Sequence, residues 1–408
     1  MPRLSRLVPF LLPLASLVAL LVAPRAAKTV PLYAARTGLM CQTCHFDPNG
    51  GGPRNEFGFA FAKNRHSLVP ETDGPWADLN LRNRVSDEFP LYFGVNQRFM
   101  LLANQQVQTS GVDHVGFWNM ENAIYTVFQP HPRLTLVYNA EPVSGLATFQ
   151  SRDAFAMIGL GAEHYLKAGQ FRVPFGLRMA DHTTATRNSF LDYQTGERFL
   201  PYDPRTVDRG VELGGSHGSF FGRASLTNGS FSTTNSPPTT NRHPQAVAAK
   251  LGYNVPSYQG AISIYDDWAP TGNGQSKRAT RWGYYALTHH GPFALVGEIA
   301  AGTDQAWAAG AVTRRNVMAG FVEADWAPRR EYNVRFRWDH LELNRSTDAT
   351  VAALNRWNRY ALEGEWVPVP FAELRWTVRL IDPVADRTPL GAEIRDEKQA
   401  YLQLHVSY

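Results

Sequence analysis

Two cysteines in 408 residues cannot staple a fold of this size, so whatever they do is local. Past the N-terminus no apolar run reaches the roughly 18 residues that a membrane-spanning helix needs, which excludes a helical membrane protein. Charged residues are only 19% of the chain and the formal net charge is +4, too small a basic excess to point to nucleic acid. Aromatics are not scarce. Ten Trp, 16 Tyr and 23 Phe at low net charge are more apolar bulk than an unfolded, solvated chain carries.

Met1 to Ala27 has the three-part build of a secretory signal: Arg3 and Arg6, an apolar run from Leu7 to Val22, then Ala23-Pro24-Arg25-Ala26-Ala27. The rival, a membrane anchor, is interrupted by Pro9 and Pro13 and is short for a span. Cleavage near Ala27 removes three of the 40 basic residues, leaving 37 against 36 acidic ones and a near-neutral mature chain. The expected organisation is a signal peptide at 1–27, a small segment at 28–88 and a β-domain at 89–408.

Cys41-Gln42-Thr43-Cys44-His45 reads C-x-x-C-H, the pattern for covalent attachment of one c-type haem. Two thiols at this spacing can each form a thioether to one edge of a porphyrin, and the adjacent His45 then ligates the iron. Export agrees, because such haem is attached outside the cytoplasm. Two rivals remain: a Cys41–Cys44 disulfide in an oxidising compartment, and half of a zinc site, for which no further cysteine exists.

Downstream, Gly50-Gly51-Gly52 would let backbone pass close to a macrocycle. Phe57, Phe59 and Phe61 alternate, either as one apolar wall over the iron or as a small element packing on its neighbours. No motif fixes a second axial ligand. His66 is the nearest downstream histidine, Met40 and Met100 are its rivals, and a five-coordinate iron is the remaining option.

From about Phe89 the dominant period is two. Tyr332, Val334, Phe336 and Trp338 oppose Asn333, Arg335, Arg337 and Asp339, and the chain ends with Leu402, Leu404, Val406 and Tyr408 opposing Gln403, His405 and Ser407. Short links, often with proline, alternate with longer polar segments at 143–153, 228–243, 268–278, 303–313, 345–355 and 383–396. The expected fold is all-β: an outer-membrane antiparallel barrel of about 16 strands. A soluble sandwich also alternates, but it does not need aromatics near strand ends such as Tyr92, Tyr125, Tyr138, Trp282, Trp326, Trp338, Trp366 and Tyr408.

The longest gap, Gly176 to Arg209, is the third external loop. Resemblance to general porins implies a loop folded into the lumen, lined by Arg178, Asp181, His182, Thr183, Thr184 and Arg187; the rival is an ordinary solvated loop. Tyr165 through Gly176, which includes Lys167 and Arg172, resembles a strand motif of phosphate-selective porins. The lumen charges Arg335, Arg337, Arg375, Arg379, Glu363, Glu365 and Asp339 read as packed ion pairs.

A signal, one C-x-x-C-H near the mature start and a barrel filling the rest resemble the fused outer-membrane monohaem cytochrome–porins of iron-oxidising bacteria. The likeness is specific at Ala35 to His45 and at Asn55-Glu56-Phe57-Gly58 with Phe61, and the chain departs from it at Asp47 to Arg54 and Asn64-Arg65-His66. It implies electron conduction across the outer membrane, with extracellular Fe(II) as a candidate donor and a small periplasmic cytochrome or similar carrier as partner. Two other readings stand: a solute or anion porin whose haem segment is a plug or redox sensor, and a disulfide-closed plug on an anion channel.

Overall fold

Hydrogen bonding between alternating strands has only one way to leave no edge in lipid, which is to close on itself. The computed structural model describes residues 31–73, 75–105, 113–143, 148–161, 163–177, 183–187, 199–200, 207–229, 246–272, 275–308, 311–345, 355–384 and 397–408. The expected signal peptide lies outside them. Sixteen antiparallel strands run from β1 (Leu91–Gln105) to β16 (Glu397–Ser407), each paired with the next. β16 closes on β1 in a register from Asn96↔Ser407 to Gln105↔Lys398. The expected fold and strand number are those observed.

Face assignment follows from what each face meets. On β13 (Tyr332–Glu342), Asn333, Arg335, Arg337 and Asp339 are buried in the lumen while Phe336 is exposed. On β16, Gln403, His405 and Ser407 point inward, and Leu402 and Leu404 outward. An apolar outer band with a polar interior is the lipid-facing arrangement of an outer-membrane barrel. Trp326, Tyr332 and Trp366 stand outward near one set of strand ends, with the Tyr332 and Trp366 rings stacked at 6.4 Å. Tyr138 and Trp282 are also outward. Tyr92 and Tyr125, expected in the same girdle, turn inward instead. The N-terminal segment gives Tyr92 a ring partner in Phe46 at 4.9 Å, and Asn96 Nδ2 donates to the Tyr125 hydroxyl at 3.2 Å.

Short turns leave strand ends two residues apart at one mouth, as between Val255 and Tyr258 or His290 and Phe293. In barrels of this kind that mouth is periplasmic. Two of the expected long loops are not loops. β9 (Tyr258–Gly272) runs to within two residues of β10 (Gln275–His290), and β11 (Phe293–Ala308) comes as close to β12 (Ala311–Arg329). Polar sequence at 268–278 and 303–313 suggested loop, yet cross-strand pairs such as Arg278–Asp266 at 2.6 Å and Arg281–Asp304 at 2.8 Å satisfy those charges within the ladder.

Residues 31–66 pack inside the barrel at its periplasmic end, and most of the described residues of 69–90 are exposed. α1 (Pro31–Thr37) sets Ala34 and Ala35 among Tyr285, Val296 and Phe321 of the wall. Gly38 presses on the Pro256 turn, where a Cβ would sit 2.3 Å from the Pro256 carbonyl oxygen. α2 (Glu56–Lys63) packs Phe59 against Phe371 and Tyr408 at 4.9 and 5.1 Å. Successive alternate residues on a helix turn by about 200°, so the three phenylalanines form no common wall: Phe57 is exposed, Phe59 meets the mouth, and Phe61 meets Tyr33.

Candidate functional site

Cys41–Thr43 forms one 3-10 turn, and both the Cys44 and His45 amides donate to the Cys41 carbonyl, at 3.1 and 3.0 Å. Asn55 clamps this turn from α2. Its side chain accepts from the Gly58 amide as an N-cap and donates to the Thr43 carbonyl at 3.1 Å. Asn55→Ala removes both contacts and is expected to cost about 1–2 kcal/mol, read as a lower denaturant midpoint for release of the segment; an unchanged midpoint would refute the clamp. Gly50, at φ +85°, folds the glycine link over Cys41, where a Cβ would lie 3.0 Å from Sγ.

The segment is tied to the wall by buried polar contacts. Lys167 Nζ lies 3.2 Å from Asp47 Oδ1 and 3.1 Å from Glu212 Oε1, and Asn49 donates to Glu212 at 2.9 Å. Arg54 donates to the Ser407 carbonyl at 2.6 Å, and Arg223 to the Pro48 carbonyl at 3.0 Å. Lys167 of β5 (His164–Phe171) therefore faces the segment.

Cys41, Cys44, His45 and His66 all line one cavity of about 400 Å³ between the segment and the barrel wall. Both thiols are free, so the expected disulfide rival is not present. Burial raises the Cys41 thiol, and burial together with Cys41 pushes Cys44 up to about 11. Burial, then the Arg54 charge, lowers His45 to about 4, leaving a neutral imidazole with a lone pair. Its Nδ1 is buried without a hydrogen-bond partner. Two unpaired thiols and a neutral, under-satisfied imidazole around one cavity fit the donor set of a covalent haem.

His66 lines the same cavity, but its ring nitrogens face Tyr33 through Nδ1 and Glu373 Oε1, 3.4 Å from Nε2. It could ligate iron only by leaving Glu373. Met40 also lines the cavity, whereas Met100 is buried in β1 outside its lining. Tyr33 of α1 lines it as well, as do Met120, Glu365 and Glu373, which only strand register brings there, so no local motif marks them. The ion-pair reading of the wall holds: Arg335 meets Glu363 at 2.8 Å, Arg379 meets Glu363 at 3.2 Å, and Arg337 meets Asp339 at 2.7 Å.

The described part of the 176–209 connection folds inward. Arg187 is fully buried on Glu298 at 2.8 Å, and Arg359 donates to the Thr183 carbonyl at 2.7 Å. Thr184 is buried beside them. Arg178, Asp181 and His182 lie outside the described residues.

The barrel fold is that of known porins. The chain is similar to an anion-selective porin from Comamonas acidovorans (TM-score 0.58, 8% identity, 79% of this chain and 100% of that one). It is equally similar to the outer-membrane channel DcaP of Acinetobacter baumannii (TM-score 0.58, 11% identity, 80% and 100%). OmpT of Vibrio cholerae aligns at 0.53 with 8% identity over 78% and 99%. At such identities the likeness is one of fold. No protein-family model matches the chain, and neither does any curated protein.

Proposed function

We propose that this outer-membrane barrel carries one covalent haem c in its periplasmic half and passes electrons across the membrane, with extracellular Fe(II) as donor and a small periplasmic carrier as acceptor. The observation that carries the reading is the meeting of Cys41, Cys44 and His45 at one lumen cavity. Cys41 and Cys44 would hold the porphyrin by thioethers and His45 would ligate its iron. When bound, the group supplies a reversible one-electron store. Asn55 and Gly58 hold the motif turn in place, and the salt-bridged wall keeps the segment seated. A hydrocarbon core about 30 Å thick blocks soluble redox partners, so a carrier must meet the cofactor at the periplasmic mouth.

Cys44→Ala is expected to abolish haem staining on a denaturing gel while the barrel keeps its heat-modifiable mobility. A wild-type protein without covalent haem would overturn the reading. Likeness to an anion-selective porin favours a second one, a solute or anion channel plugged by the same segment. Substantial conductance in planar bilayers with no absorbance change on adding Fe(II) selects the channel; haem reduction by Fe(II) at whole cells selects electron transfer.

A further inference from the structure

On the wall of the cavity, three close contacts link four side chains. Tyr33 Oη meets His66 Nδ1, Tyr33 Oη meets Glu365 Oε1 at 2.9 Å, and His66 Nε2 meets Glu373 Oε1 at 3.4 Å. A phenol brings one proton and a neutral imidazole one. Two protons cannot bridge three contacts. If Tyr33 donates to Glu365, the imidazole N–H sits on Nδ1, and the Nε2 lone pair faces a carboxylate oxygen with nothing positive between. Nε2 indeed has no hydrogen-bond partner, although the His66 side chain is only 3% exposed.

The missing charge is either a third proton or a metal ion. A buried imidazolium loses its hydration, while a neutral imidazole and two carboxylates are ready ligands. One donor atom from each of His66, Glu365 and Glu373 lies within 4.8 Å of the others. The outer carboxylate oxygens are oriented from behind: Arg375 Nε is 3.1 Å from Glu365 Oε2, and His405 Nδ1 is 3.0 Å from Glu373 Oε2. Arg375 also reaches Glu373 Oε2, at 2.5 Å, so its single positive charge is shared between the two carboxylates. Arg335, 3.6 Å from Glu365, lies closer to Glu363, and Arg54 is engaged at Ser407.

We propose that His66, Glu365 and Glu373, with Tyr33 beside them, bind one divalent transition-metal cation that pins the end of α2 to β14 (Arg356–Val369) and β15 (Ala372–Pro383). One nitrogen among oxygens selects the zinc, manganese and ferrous class over calcium and magnesium, which take oxygen alone. The site needs no haem, and it assigns His66 to the cation, leaving the iron to His45.

Full-length protein in detergent, loaded with Zn(II), desalted and analysed by plasma mass spectrometry, is expected to retain one zinc per chain, as is the haem-free Cys44→Ala variant. His66→Asn is the informative change, because His66 sits at φ +59° and asparagine tolerates that backbone. Zinc affinity is expected to fall about 100-fold or more in His66→Asn and Glu373→Gln, beyond what outer-shell changes cost, with barrel mobility on gels unchanged. Wild-type protein retaining no zinc, or His66→Asn retaining it undiminished, overturns the site. A low-spin haem spectrum lost in His66→Asn overturns it too, while leaving the haem reading intact.

Discussion

Lys167→Met is expected to loosen the N-terminal segment from the barrel by about 3–5 kcal/mol, the usual cost of removing one partner from a buried ionic cluster. The Lys167 ammonium is fully buried between Asp47 and Glu212, over the Phe155 and Phe171 rings at 5.2 and 4.6 Å. Methionine keeps the stem's volume and its ring contacts, so the loss is electrostatic. Two carboxylates then share a dry site, with Asn49 and Tyr165 still donating to Glu212. The measurement is urea-dependent proteolysis of the segment in folded barrels. Adding Asp47→Asn to Lys167→Met is expected to recover part of the loss, since it removes one stranded charge. An unaltered proteolysis midpoint in the single variant would show that the cluster does not hold the segment.

Gly58→Ala tests the other side of the motif, and here two effects oppose. Within α2, alanine for glycine favours the helix by about 1 kcal/mol. The added Cβ, however, would lie 2.1 Å from the Cys44 carbonyl oxygen, a backbone atom that cannot rotate away. Overpacking of this kind costs about 1–3 kcal/mol and more where backbone must shift, so the clash is expected to prevail. The variant should show a lower denaturant midpoint and a sharply reduced yield of covalent haem, because α2 and the cysteine turn are forced apart. A stability gain would mean that the two elements do not pack as described.

The barrel was legible because its physics is periodic: alternation on β13 and β16 states both the lipid face and the lumen face. The sign of two girdle tyrosines was not, since Tyr92 and Tyr125 choose their side by partners more than 25 residues away, Phe46 and Asn96. Protruding strands escaped for a related reason. Arg278 and Asp304 read as loop until strand register pairs them with Asp266 and Arg281. In the site, Cys41, Cys44 and His45 are local and could be read from five residues. Glu365 and Glu373 share one hairpin, β14–β15, but join His66 only because the N-terminal segment sits inside the barrel, and no spacing along the chain announces that. The resemblance at Asn55 and Gly58 pointed to residues whose work is now physical: one clamps the cysteine turn, the other lets a helix lie against it.

The tie between Arg54 and Ser407 joins residues 353 positions apart, and Phe59 touches Tyr408 at the same seam. A segment that precedes every strand thus has its seat completed at the end of β16. A finished cylinder offers its interior only through its mouths, so a segment seated at the periplasmic one reaches its place either through that mouth or before the final strand meets the first. The contacts at Ser407 and Tyr408 exist only with the last strand in place, so seating of the segment and sealing of the seam reinforce one another.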